Sequence, residues 1–203
     1  MLRNDVSVAI LAGGLSSRMG TDKSMLPLAG KPLIAHVIER TSLLGLPVTV
    51  ITNTPEKHQQ FNLPMYSDLY PGQGSLGGIY TALAFSPSDY TLCVACDMPF
   101  LNVDLLRYIV NLCAGYDAVV PCDIGNYESL HAVYRRTCLA PIQQRITEGN
   151  LRIRDLYSRL HTRLISPEEV NNFDPERRSF MNLNTPEDLA QIELRSTLYE
   201  QQD

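Results

Sequence analysis

The chain has no long run of basic residues. Seventeen Lys and Arg stand against 22 Asp and Glu and are scattered rather than clustered, which excludes the electrostatic footprint of a duplex-binding protein and removes nucleic acid from the expected partners. No stretch of about 18 uncharged apolar residues occurs, and no positively charged N-terminal segment leads into one, so neither a membrane helix nor a secretory leader is expected. The expectation is a cytoplasmic protein without a membrane partner. Cysteine is sparse and odd in number: Cys93, Cys96, Cys113, Cys122 and Cys138 lie mostly within apolar runs, as suits reduced thiols packed as small core residues. Cys93-Val94-Ala95-Cys96 has redox spacing, yet it sits in a strand-like run and not at the exposed helix N-terminus that lowers a thiol pKa. With no second Cys or His pair at ligand spacing, zinc is not expected either. Internal repeats and low-complexity tracts are also missing, which excludes a solenoid.

What is present is an alternation. At 203 residues the chain is long enough for a sizeable core and fits one domain. Apolar runs at 6–11, 48–52, 90–95 and 116–121 read as strands. Helical patterns at 32–44, 76–85 and 103–113 lie between them. This predicts a single three-layer α/β/α domain spanning 1–203, with a mostly parallel sheet of the nucleotide-binding kind. Lys31-Pro32 places proline in the opening turn of the first helix, and Asn102 is a good N-cap for a later one. Beyond residue 123 the pattern is less regular, with a strand at 130–134 and helices at 138–147 and 152–160. A final helix is expected at Thr185-Pro186-Glu187-Asp188, where a hydroxyl cap, an N-terminal proline and acidic residues follow one another.

In an open α/β sheet, ligands bind beyond the carboxyl ends of the strands, and here those ends are polar. The first strand runs into Leu11-Ala12-Gly13-Gly14, followed by Arg18 and Lys23. Glycines accept positive φ and let backbone N–H groups approach a phosphate, and the two cations add charge. The spacing is neither the Walker A pattern nor the dinucleotide glycine pattern, so the turn is expected to bind a nucleoside triphosphate in a different way. Asn53 and Asp68 end the next two strands.

Asp97 caps the run at 90–95 just before Met98-Pro99, and a lone carboxylate of this kind suits Mg²⁺, which takes one or two protein oxygens and completes its shell with water and phosphate. The alternative, a helix cap, is already supplied by Asn102. A second glycine-rich loop, 67–78, ends in Gly77-Gly78, which is expected to open a helix. A second phosphate cradle and simple close packing both explain those glycines. Asn182 and Asn184 are expected to alternate along a short strand and so face one side, although turn and cap hydrogen bonds explain them equally well.

With these residues assembled, the chain resembles the molybdenum cofactor guanylyltransferases, within the wider nucleotidyltransferase group. The resemblance covers nearly the full length. It is carried by Leu11-Ala12-Gly13-Gly14 through Arg18-Met19-Gly20 and Lys23, Gly30-Lys31-Pro32-Leu33, the 74–78 loop, Cys96-Asp97-Met98-Pro99, and Asn182-Leu183-Asn184-Thr185-Pro186. It implies transfer of GMP from GTP to the phosphate of the molybdopterin cofactor, with pyrophosphate released. By the same resemblance Leu11, Ala12, Gly13, Gly14, Lys23, Asn53, Asp68 and Asp97 contact the nucleotide, and Arg18, Lys23 and Asp97 are catalytic. Asp97 holds Mg²⁺, and Gly77, Gly78, Asn182 and Asn184 face the acceptor.

The implied partners are GTP, the molybdopterin cofactor, and proteins that deliver the cofactor or receive it, the molybdoenzymes. Cytidylyltransferases commonly carry Ala in place of Gly13, and the missing methyl makes room for a purine. Two departures, Ser75 and Ser129 where proline is frequent, are expected to loosen the backbone around the acceptor pocket. A molybdopterin cytidylyltransferase, a sugar-phosphate nucleotidyltransferase and a non-catalytic nucleotide-binding regulator remain the alternatives. The regulator is the weakest, because binding alone requires neither Lys23 nor Asp97.

Overall fold

The computed structural model describes residues 5–13, 22–123, 126–185 and 188. Ten strands and six α-helices are described: β1 (Val6–Leu11), β2 (Pro27–Leu28), β3 (Lys31–Pro32), α1 (Leu33–Ser42), β4 (Val48–Ile51), β5 (Met65–Tyr66), α2 (Gly74–Phe85), β6 (Tyr90–Ala95), α3 (Val103–Leu112), β7 (Ala118–Asp123), β8 (Asn126–Tyr127), β9 (His131–Arg135), α4 (Leu139–Thr147), α5 (Arg154–Tyr157), β10 (Thr162–Ile165) and α6 (Pro167–Asn171). The main sheet has the order β10-β7-β9-β6-β1-β4-β5, with β8 paired to β7. Its pairings are parallel except those involving β9, which runs antiparallel to both β6 and β7, and the β7–β8 pair.

The expected mostly parallel sheet is therefore present, and its layers follow from side-chain alternation along the strands. Val6, Val8 and Ile10 of β1 join a core built with α1, α3 and α6. Ala9 and Leu11 point the other way, toward α2, α4 and α5. A strand buried on both faces favours apolar side chains, which is why β1 and β6 read as nearly continuous apolar runs broken only by Ser7 and Thr91.

Asn102 caps α3 as expected, accepting from the N–H groups of Asp104 and Leu105 at 3.0 Å each. Several expectations need correction. Pro32 is the cap of α1 and pairs in the small β2–β3 hairpin, so the helix starts at Leu33. The helix expected over 152–160 is a single turn, because Thr162 already enters an edge strand. That strand, β10, and the capping-box helix α6 were not anticipated.

The short strand expected at Asn182 and Asn184 is not formed. The carboxylate of Asp188 instead captures the N–H groups of Asn184 and Thr185 at 2.9 Å, and Thr185 Oγ1 accepts from the N–H of Asp188 at 3.1 Å. This reciprocal cap is the helix start expected there, and the rest of that helix lies outside the described residues. No described helix is long and apolar enough to cross a membrane.

His131 begins β9 with no exposed surface, and both of its ring nitrogens lack hydrogen-bond partners. Phe180 stands edge-on to the ring at 5.0 Å. Burial pushes its pKa down to about 4, against the pull of the Asp174 charge. The unfolded chain therefore binds a proton near pH 6.5 that the folded chain refuses until about pH 4, so stability falls as pH drops through that window. Urea titrations of wild type and His131→Leu should diverge by about 3 kcal/mol between pH 6.5 and 4, with the variant losing less. Parallel pH profiles would mean that His131 is not the group responsible.

Candidate functional site

The crossovers set where the sheet opens. From β1 the chain passes through α1 to β4 on one side, while β6 pairs with β1 on the other. The carboxyl ends of β1 and β6 thus lie side by side where the direction of winding reverses, the position at which doubly wound sheets leave a crevice. Backbone bonds carry the pairing past the strand ends: Ala12 N–H donates to Ile51 C=O at 2.8 Å, Cys96 N–H to Leu11 C=O at 3.1 Å and Ala95 N–H to Leu130 C=O at 3.1 Å.

The resulting cleft gathers residues from Leu11 to Gly13, from Asp22 to Ser24, Asn53 and Thr54, and from Ala95 to Asp97, with Leu130 closing one side. Of the nucleotide-contacting residues expected from sequence, Leu11, Ala12, Gly13, Lys23, Asn53 and Asp97 meet here. Gly14 and Arg18 lie outside the described residues. Asp68 joins through Asn53, whose Oδ1 accepts the N–H of Asp68 at 2.9 Å. That bond commits the amide oxygen and leaves Nδ2 facing Gly13.

Gly13 does not adopt positive φ, which corrects the expected reason for a glycine. Among the described residues, a Cβ built at this position would meet nothing closer than 3.9 Å, from Asn53 Nδ2 and Ile51 O. Neither backbone strain nor packing demands glycine here, so the missing methyl is space left open toward the cleft. Gly77 and Gly78 likewise lack positive φ but differ in packing. They are buried one turn inside α2, which starts at Gly74, and do not open the helix as expected. A Cβ on Gly77 would stand 2.6 Å from Tyr70 O, and one on Gly78 would stand 2.7 Å from Leu11 Cδ2. The pair lets α2 close down on the 68–70 turn and on β1.

Two carboxylates enter the cleft under opposite conditions. Burial raises the pKa of Asp97, while its own backbone amide and the charge of Lys23 act against that rise. Burial also opposes the charge on Asp22, but bonds from the Ser24 and Thr54 hydroxyls and the Ser24 N–H outweigh it and hold its carboxyl below the usual range. Asp22 Oδ2 accepts from Thr54 Oγ1 at 3.0 Å, and Lys57 Nζ stands 3.8 Å away. Asp22, Ser24, Thr54 and Leu130 were not singled out from sequence. The adjacency of Asp22 to Lys23 was the available signal.

Lys23 Nζ donates to Asn184 Oδ1 at 2.8 Å across 161 residues of chain. The side chain of Asn182 instead donates to Phe180 C=O at 3.3 Å, so the two asparagines do not act as a matched pair. Leu183 N–H donates to Asp97 C=O at 2.9 Å and ties this segment to the cleft.

A hard divalent cation fits these donors. Asp97 is a desolvated carboxylate whose charge awaits compensation, and magnesium asks for only one or two such groups. Among the described residues no cluster of three His, Cys, Asp or Glu forms. The Cys93 and Cys96 thiols are both pushed up by burial, so neither is a poised nucleophile. Ser129 is not loosened as expected from the lost proline. It is buried, its hydroxyl accepts from Tyr157 Oη at 2.7 Å, and its C=O accepts from Tyr134 Oη at 2.8 Å.

Comparison with known proteins follows the same lines. The model of the MobA-like NTP transferase domain matches residues 8–164. A probable molybdenum cofactor guanylyltransferase of Natranaerobius thermophilus is 36% identical over 196 residues, covering 94% of this chain and 96% of the relative. The molybdenum cofactor guanylyltransferase of Syntrophotalea carbinolica is 35% identical and covers 90% and 88% of the two chains. Among solved structures, molybdopterin-guanine dinucleotide biosynthesis protein A from Archaeoglobus fulgidus superposes with a TM-score of 0.79 at 30% identity, covering 94% of this chain and 98% of its own.

The two kinds of glycine separate experimentally. Gly77→Ala forces Cβ against backbone and should lower the unfolding free energy by about 1–3 kcal/mol despite its better helix propensity. Gly13→Ala should stay within about 0.5 kcal/mol of wild type, as for a substitution that meets nothing. Chemical denaturation of both variants measures this, and equal losses would remove the distinction.

Proposed function

The chain belongs to the molybdenum cofactor guanylyltransferases of the MobA-like NTP transferase family, and from that premise we propose that it transfers GMP from GTP to the terminal phosphate of the molybdopterin cofactor. Pyrophosphate leaves, and the guanine dinucleotide form of the cofactor results. The observation that carries this reading is the open space beside Gly13 in a cleft that also holds Lys23 and Asp97. A purine enters that space, where Asn53 Nδ2 presents donors to a base or ribose oxygen.

Lys23 has three ammonium protons, and Asn184 occupies one. The others remain for phosphate oxygens without any movement of the chain. The family resemblance assigns Arg18 to the same triphosphate. Asp97 would hold magnesium, which when bound would supply further neutralisation of the leaving pyrophosphate.

The acceptor lies beside the first turn of α2 and the 182–184 segment, with its phosphate in line with the α-phosphorus of GTP. Such a transfer is governed by positioning and electrostatics, with no covalent enzyme intermediate. A phosphate monoester is already ionised near neutral pH, so no strong general base is needed. The product then passes to the proteins that receive the cofactor.

Incubation with labelled GTP or CTP, Mg²⁺ and molybdopterin tests the reading through pyrophosphate release. GTP should be the productive substrate, and preference for CTP would overturn the purine assignment. Lys23→Ala should lower turnover on the order of a hundredfold, about 3 kcal/mol at the transition state. Gly13→Ala should raise the KM for GTP while leaving the fold intact.

A further inference from the structure

Behind the cleft stands a buried polar chain that the transfer reaction does not itself use. His58 has no exposed surface, yet both ring nitrogens have partners. Its Nδ1 lies 3.0 Å from Thr54 C=O and 3.4 Å from Thr52 Oγ1. Its Nε2 lies 2.8 Å from Ser24 Oγ. Ser24 is buried as well, and its hydroxyl and its N–H both reach Asp22 Oδ1, at 2.6 and 3.1 Å. Thr54 Oγ1 closes the circuit on Asp22 Oδ2.

The proton inventory fixes part of this network. A carbonyl only accepts, so Nδ1 carries a hydrogen toward Thr54, and Nε2 is directed at Ser24. The circuit encloses one short 3-10 turn, Lys23–Met25, whose first residue is the lysine of the cleft. Asp22 and Ser24 flank Lys23 on either side, and both are fastened to the segment that follows β4. A long flexible side chain gains most from a fixed base, because a displacement of about 1 Å in a charge-stabilising group is enough to cost two orders of magnitude in rate.

We propose that His58 is a positioning residue, acting through Ser24 and Asp22 to aim Lys23 at the triphosphate. The inference rests on the functional reading above, since the readout is turnover with GTP. His58→Phe keeps the ring's bulk and removes both hydrogen bonds, and Ser24→Ala breaks the same link without touching the buried ring. His58→Gln keeps a hydrogen-bonding group near the position of Nε2.

In pyrophosphate-release assays His58→Phe and Ser24→Ala should each lower kcat about tenfold or more, and the double variant should lose no more than the worse single. His58→Gln should recover most of the loss. In a Lys23→Ala background His58→Phe should change kcat less than about twofold, because the group it positions is gone.

A purely structural His58 gives a different pattern: a lower melting temperature, with kcat per folded molecule unchanged by His58→Phe in the wild-type background as well as in the Lys23→Ala background. That result overturns the inference while leaving the functional reading intact. Should His58→Phe fail to fold, Ser24→Ala alone and in the Lys23→Ala background carries the same test. Wild-type protein that releases no pyrophosphate from GTP with the acceptor overturns both.

Discussion

Everything at the cleft depends on β1 being enclosed. Its side chains are buried on both faces, and its backbone is paired to β4 on one edge and β6 on the other. A polar side chain on such a strand must find its partner inside the protein, as Ser7 Oγ does with Ser86 Oγ at 2.7 Å. At the carboxyl end the opposed crossovers carry the chain away on either side and leave a crevice open. Gly78 contributes from a distance: α2 presses directly on Leu11 because no Cβ intervenes. The position of the cleft is thus a packing result before it is a chemical one.

The same enclosure divides the acidic residues by role. Asp22 and Asp97 both lose solvent at the cleft, and for each the resulting penalty on ionisation is the largest influence. For Asp22 the protein answers with two hydroxyls and an amide, so the charge is satisfied internally and serves to hold structure. For Asp97 it answers only with the residue's own amide and the field of Lys23, leaving a carboxylate whose best remaining partner is a cation from solution. Two identical groups lining one cleft with Lys23 acquire different uses through their surroundings, the usual way in which sites separate roles among like residues.

The sequence carried the layered fold because that information is local. Val6–Leu11 and Tyr90–Ala95 are apolar except for the small hydroxyl residues Ser7 and Thr91, and Asn102 caps α3 through its own side chain. Lys23, Asn53 and Asp97 were visible as polar residues at strand ends, and the structure brings them together. Edge strand β10 was not visible: Thr162–Ile165 is only partly buried, so its pattern is not that of a core strand. The Asp22–Ser24–His58 circuit was hidden for another reason. Its members lie 34 residues apart, and nothing in the composition of either segment announces the other. Asn182 and Asn184 show the opposite failure, in which a real periodicity is overruled by a local cap, since Asp188 claims the backbone that a strand would need.

Ser129 shows how stiffness survives a change in its chemical source. Proline restrains a turn by fixing φ and lowering the entropy of the unfolded chain, so a serine in its place is expected to lose order. Here the serine presents a hydroxyl and a carbonyl to two buried tyrosines that are also 2.8 Å from each other, and burial holds both phenols protonated. Removing the Tyr134 phenol would take from the Ser129 carbonyl its side-chain donor, at a cost comparable to the entropy a proline ring would save. The next residue, Leu130, accepts from Ala95 and lines the cleft. The tyrosine pair thereby fixes the wall of the site from the far side of the sheet, and it does so through hydrogen bonds made only after β9 and α5 have packed.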